Sequence, residues 1–163
     1  GDLNTLQLSS GPNIPPQAFA WGSWQDDMNT TGWARLVIHT NGSESDDTQA
    51  FAAGFLEGSV SAQRIWEYAL NLYGGISPFS PRLRDYVVEN LRWMRSNVAS
   101  RRDNDVYWRH IGLLLRQFDG LLKGYNSHVR YCDCWGPRRL GRGTHEAWTE
   151  PDLYTPFLGN DDV

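Results

Sequence analysis

The residues best suited to chemistry fall in one run, Trp108-Arg109-His110, followed by Asp119. A histidine, with an unperturbed pKa of ~6.5, can give or take a proton near neutral pH. An arginine beside it can hold a carboxylate or phosphate through its planar fork. Each also has an ordinary structural use. His110 lies four residues before Leu114, on or beside an apolar helix face, where it can be a core histidine with one hydrogen bond. Arg109 can pair with Asp105, four residues before it. Asp119 stands near a helix end, where the macrodipole disfavours a carboxylate, and Lys123 at i+4 can neutralise it. Glu57 falls between two helix glycines, one position before Gly58. If that face packs closely, its carboxylate needs a partner, and Arg64 at i+7 is far for the role.

The remaining candidates do not complete a catalytic set. His145-Glu146 begins like a zinc-protease motif, but Thr149 and Glu150 follow where the second histidine should be. Cys132, Cys134, His128 and His145 could supply four zinc ligands, yet their spacing matches no common finger. The expectation is no metal and no cofactor, with an independent helical domain holding Cys/His zinc as a rival. Cys132 and Cys134 are two apart and poorly placed to bond each other. In an oxidising compartment one or both would pair with another chain. No nucleophile elbow, phosphate-cradling loop or dinucleotide fingerprint occurs.

These residues must be held by the elements around them. Residues 1–16 end in Pro15-Pro16 and read as an extended lead-in. Residues 17–21 are a short strand candidate, 26–29 a turn, and 32–40 a strand in which Arg35 and His39 alternate with Leu36 and Ile38. Ser43, Asp46 and Asp47 start a long helix over 46–73. Phe51, Phe55, Ala62, Trp66, Ala69 and Tyr73 share one of its faces. Gly54 and Gly58 lie on another, and since each costs ~1 kcal/mol relative to Ala, they predict a second backbone packed very close. Gly74-Gly75 stops the helix.

Ser80 and Pro81 cap and open a second helix, running to about Ser100, with Leu83, Val87, Asn90 or Leu91, Met94 and Val98 inward. After a solvated break, Asp103 or Asp105 caps a third. It places Tyr107, Ile111, Leu114, Leu115, Phe118 and Leu122 inward and ends at Gly124. Residues 125–163, with Gly136-Pro137, Pro151 and Pro156, show no period. An aperiodic segment that long is uncommon in a closed domain, so it is expected to pack on something else.

Composition narrows the class. At 163 residues the chain has the length of one domain. Its 40% hydrophobic and 21% charged residues argue against intrinsic disorder. A net charge of −4 argues against a nucleic-acid partner. No run approaches the ~20 apolar residues of a membrane span. The sequence begins at Gly1, which suggests processing, and Asn29-Thr30-Thr31 and Asn41-Gly42-Ser43 are sequons in turn-like sequence. Together these point to the secretory pathway, with Asn29 and Asn41 as glycosylation candidates. Eight Trp and a single Lys, Lys123, against fourteen Arg are unusual.

Three segments in register carry a family resemblance: Asn29-Thr30-Thr31-Gly32-Trp33-Ala34, then Phe51-Ala52-Ala53-Gly54-Phe55-Leu56-Glu57-Gly58, then Asp105-Val106-Tyr107-Trp108-Arg109-His110-Ile111-Gly112 continuing to Gln117-Phe118-Asp119-Gly120. In this order and spacing, over residues 17–124, the chain resembles the N-terminal part of the phospholipase B-like (lamina ancestor-type) family of N-terminal-nucleophile hydrolases. Asp152-Leu153-Tyr154 with Asn160-Asp161 is similar to a divergent form of the stretch that precedes the family's nucleophile.

The resemblance implies an α/β (α+β) fold that is part of an αββα sandwich completed by a second fragment. It implies a lysosomal or secreted hydrolase of acyl-lipid amide or ester bonds, cut before a cysteine that becomes the second fragment's N-terminus. That cysteine attacks the acyl carbonyl, with its own α-amine as base. Cys132 and Cys134 are internal to this chain, so the catalytic residue is expected on the partner fragment. This chain would then supply scaffold and pocket wall from Trp108, Arg109, His110, Asp119 and Glu57. A homodimer of the two-fragment unit is compatible with this picture. The alternative is a catalytically inactive binding protein on the same scaffold.

Overall fold

The computed structural model describes residues 3, 6–73 and 80–131. They form an α+β arrangement in the order β1 (Ala20–Asp27), α1 (Met28–Thr31), β2 (Trp33–Thr40), α2 (Asp46–Tyr73), α3 (Pro81–Arg101) and α4 (Val106–Tyr131).

β1 and β2 pair antiparallel with Ala20 opposite Thr40 and Asp27 opposite Trp33. In β2 the side chains alternate strictly: Ala34, Leu36, Ile38 and Thr40 are half-buried, whereas Trp33, Arg35, Val37 and His39 are exposed. The expected strand at 17–21 starts later and runs further, because Trp24 pairs with Leu36 on the half-buried face. The turn expected at 26–29 is the strand end plus the single turn α1. Asp26 Oδ1 accepts the Met28 N–H, and the hydroxyls of Thr30 and Thr31 donate to Asp27 O. Gly32 closes the loop at φ 77°, a left-handed conformation that favours glycine.

α2 lies along this hairpin and is tied at both ends. Thr40 Oγ1 donates to Gln49 Oε1 at 2.8 Å, while Arg64 holds Asp26 through Nε at 2.8 Å and Nη2 at 3.0 Å. The strand end Thr40 therefore sits by the start of α2 and the hairpin tip by its second half, so β2 and α2 run antiparallel.

α2 and α4 form the centre of the molecule. A Cβ on Gly54 would lie 1.9 Å from Gln117 O, one on Gly58 2.0 Å from Leu121 O, one on Gly120 2.1 Å from Phe51 O, and one on Gly124 2.2 Å from Phe55 O. The two backbones touch, as the paired glycines in the first helix predict. Contact points rise together along both chains, so the helices are parallel, and α3 is the antiparallel return between them. Gly54 and Gly58 do not occupy a separate face. They share the seam with buried Phe51 and Phe55. Ser59, also buried there, donates its hydroxyl to Phe55 O at 2.7 Å and leaves no polar group unpaired.

Gly124 belongs to this seam and is not a stop. α4 continues past it to Tyr131. A glycine one helical turn after Gly120 keeps the close approach going, and the helix gains more from that contact than it loses in propensity. α3 behaves at its start as its sequence predicts: Ser80 Oγ accepts the Leu83 N–H and Pro81 occupies the first turn. Asp105 Oδ1 accepts the Tyr107 N–H and opens α4.

The expected inward faces of α3 and α4 are only partly covered. Val98 is buried, but Leu83 and Val87 are exposed, as are Tyr107, Leu114 and Phe118 of α4. Among the described residues that side of α4 stays exposed. The tail beyond residue 131 lies outside the described residues, as does the Gly74-Gly75 break.

Candidate functional site

α4 carries most of the residues singled out for chemistry, and the glycine seam fixes its orientation. Trp108 is 7% exposed. Its ring meets Trp93 and Tyr107 edge-on at centroid distances of 5.6 and 5.2 Å, and the Arg101 guanidinium stands 5.8 Å over it. This side chain is an anchor between α3 and α4.

The neighbouring residues turn to other sides. Arg109 is exposed and pairs with Asp46 of α2 at 3.0 Å, not with Asp105. His110 is exposed, so it is not a core histidine, and Leu114 one turn on is 62% exposed as well. Asp119 does not pair with Lys123. It accepts a two-pronged contact from Arg95 of α3, Nη2 at 2.5 Å and Nη1 at 3.2 Å. Lys123 donates instead to Leu3 O at 3.2 Å and lies 6.0 Å over the Phe51 ring. Glu57 is half-buried on α2, and Arg64 turns from it toward Asp26 and Glu67.

Among the described residues an open concavity lies between α3 and α4, beside the first turn of α2. It has a volume of about 380 Å3, with walls from Asp47, Arg95, Arg102, Arg116 and Asp119 and a floor from Val98, Gly112 and Leu115. The floor is tight: a Cβ on Gly112 would meet Val98 Cγ1 at 3.0 Å. Arg102 donates to Asp47 at 2.7 Å, which raises the guanidinium pKa further. Arg116 stacks 4.6 Å over the Phe51 ring.

Of the residues expected to line a pocket, Asp119 borders this cleft. Arg95, Arg102 and Arg116 were not singled out in the sequence. One signal was legible: Arg95 lies on the same helical line as Leu91 and Val98, an arginine among inward apolar positions. Asp47 reads from sequence only as a helix-start acid. Cys132, Cys134 and His145 lie outside the described residues. Asn29 is exposed in α1. Asn41 is half-buried, its Oδ1 accepting from the Ser43 N–H and hydroxyl.

A strand pair docked on long helices, with a glycine seam and an arginine-lined cleft, defines a scaffold class and no single chemistry. The family follows from comparison with known proteins. The Phospholipase B family model matches residues 20–133. The chain is 34% identical to the phospholipase B-like 2 protein of Bos taurus over 137 residues, which is 80% of this chain and 23% of that protein. It is 34% identical over 113 residues to phospholipase B-like protein B of Dictyostelium discoideum, covering 68% of this chain and 20% of the relative. The chain belongs to the phospholipase B-like family, as its three motif segments indicate. It spans about a quarter of the length of the curated relatives it matches.

Proposed function

We propose that this chain is the N-terminal part of a two-fragment acyl hydrolase whose nucleophile is a cysteine at the start of a second fragment. One observation supports it most: apolar surface that belongs in a core stands open. Tyr107, Leu114 and Phe118 recur along one side of α4 at 63%, 62% and 42% exposure, and Trp33 on the outer face of β2 is 78% exposed. Soluble proteins rarely leave an ordered apolar stripe uncovered. A two-stranded sheet is marginal by itself. A second fragment adding strands to the hairpin and covering the stripe would complete an αββα sandwich.

The chemistry follows from the partner's first residue. The Cys thiolate attacks the acyl carbon, and its α-amine takes the thiol proton. Backbone N–H groups hold the oxyanion. Collapse expels the alcohol or amine with that proton, and water then releases the fatty acid from the thioester. In this reading Trp108, Arg109, His110, Asp119 and Glu57 serve as wall or support, and the substrates are acyl lipids. A lysosomal or secreted location, with glycans on Asn29 and Asn41, completes the proposal.

The test is intact mass of the native protein under reducing conditions, with N-terminal sequencing of any companion. A companion beginning with Cys, and acyl-lipid hydrolysis lost on its substitution by Ala, is the expected result. A single 18.6 kDa species without a companion overturns the reading. A companion beginning with anything but Cys, Ser or Thr points to an inactive binding scaffold. Glycosidase treatment should lower the mass of this chain, in steps that Asn29→Gln and Asn41→Gln remove.

A further inference from the structure

We propose that the cleft between α3 and α4 binds a phosphate group, with Arg116 as its anchor. The charge balance is the first argument. Arg95, Arg102 and Arg116 face two carboxylates, Asp119 and Asp47, across one cavity of about 380 Å3. Arg95 is matched to Asp119 and Arg102 to Asp47. Arg116 lines the same cavity and forms no ion pair among the described residues.

The second argument is how Arg116 is held. Its guanidinium lies 4.6 Å over the ring of Phe51, a side chain 6% exposed and locked in the glycine seam. A cation held over a ring spends no N–H on an oxygen acceptor, so the Arg116 N–H groups remain free to donate. Among the described residues no carboxylate or carbonyl takes them. A rigidly presented fork with unused donors is what a tetrahedral oxyanion requires, and it loses little entropy on binding. Arg102 spends one nitrogen on Asp47 and has others for a second phosphate oxygen.

The floor adds selectivity. Val98 and Leu115 give the cleft an apolar lining beside the arginines. A phosphate carrying a short apolar portion would cover them, whereas free phosphate would use the arginines alone. This site is independent of the nucleophile proposed above.

The experiment uses the full-length mature protein and calorimetric titration with inorganic phosphate, glycerol 3-phosphate, dihexanoyl phosphatidate and hexanoate. Saturable binding of a phosphate-bearing compound is expected. Arg116→Gln should weaken it by about tenfold or more, the scale of a charge-assisted contact. Arg116→Lys should recover part, since it restores charge without the fork. Arg102→Gln, which leaves Arg116 over Phe51, should also weaken binding, and Arg84→Gln, exposed at the start of α3 and outside the cleft, should not. Phosphatidate binding more tightly than glycerol 3-phosphate identifies a lipid head group as the source; equal binding of inorganic phosphate identifies the free ion. The proposal is overturned if no phosphate-bearing compound saturates, if hexanoate binds as tightly, or if the Arg116 and Arg102 variants bind like the parent. Acyl hydrolysis in the same preparations is read separately. Turnover without phosphate binding removes the cleft site alone, and phosphate binding without turnover removes the hydrolase reading alone.

Discussion

α4 has two apolar sides, and they are in opposite states. Toward α2 its glycines press on backbone, with Gly120 and Gly124 facing Phe51 and Phe55. Away from α2, Tyr107, Leu114 and Phe118 remain exposed, Tyr107 meeting the edge of its neighbour Trp108. The seam is closed by residues of the chain itself, while the stripe carries equally apolar residues and is open. Close packing therefore depends on shape here, because two glycine-lined ridges fit each other and a row of bulky side chains needs a separate surface to enter.

The strongest test of that contrast is at the seam. A Cβ on Gly58 would come 2.0 Å from Leu121 O, a collision with backbone that no rotamer relieves. Gly58→Ala should cost more than about 4 kcal/mol, a range reached only by a few mechanisms. It would show as failure to accumulate or as a large fall in thermal midpoint. Gly112→Ala is the internal control. Its Cβ would meet only the end of the Val98 side chain at 3.0 Å, and Ala favours the helix, so the net change should stay within about 1 kcal/mol. Equal effects at the two glycines would erase the distinction.

The next effect tests whether the stripe is core in the whole protein. If a second fragment covers it, Phe118→Ala in the intact protein behaves as a buried change and costs about 3 kcal/mol. On a solvent-facing stripe the same substitution stays within about 0.5 kcal/mol. Denaturant unfolding of the full-length protein separates these values. A surface-sized result would remove the main support for the two-fragment reading.

Much of the closed region is legible in the sequence, and the reason is local. The bounds 46–73 of α2, the Ser80 cap with Pro81 of α3, and the period-2 face of β2 follow from caps and periodicity, which act within a few residues. Gly54 and Gly58 announce a close neighbour because two helix glycines have no local use. Of their partners, Gly124 reads as an ending, since a glycine after an apolar period is also a common stop signal. The open region misled for a related reason. Tyr107, Leu114 and Phe118 have the spacing of a core face, but periodicity cannot say whether the covering surface lies in the same chain. Ion pairs were least legible. Asp119 with Arg95 and Arg109 with Asp46 join different helices, while sequence offers only the nearby alternatives Lys123 and Asp105.

A smaller effect is expected between α3 and α4. Asp119 is 16% exposed and Arg95 30%, so this pair is partly desolvated. Arg95→Met strands the carboxylate and should cost about 2 kcal/mol. Arg95→Met with Asp119→Leu should recover most of that, because two apolar groups carry no desolvation penalty. A double variant as unstable as the single one would mean that the pair's packing, and not its charge, holds α3 in place.

The smallest effect concerns the hairpin, and it depends on pH. Arg64 beside Asp26 holds that carboxyl below the usual carboxylate range, with the Met28 N–H assisting. A carboxylate whose pKa is depressed on folding stabilises the folded state above its unfolded value of ~4, and that contribution disappears as pH falls through the folded pKa. The Asp26–Arg64 link is therefore intact at neutral and mildly acidic pH and is released only in stronger acid. Both groups are near the surface, so release should loosen the docking of the hairpin on α2 and leave the seam unchanged. Hydrogen exchange at residues of β1 should rise below about pH 4 in the parent, while exchange along α2 opposite Gly120 and Gly124 stays slow. Asp26→Asn should show the faster β1 exchange already at neutral pH and lose the acid step. An acid step that survives Asp26→Asn would assign the response to another carboxylate and detach the hairpin from this ion pair.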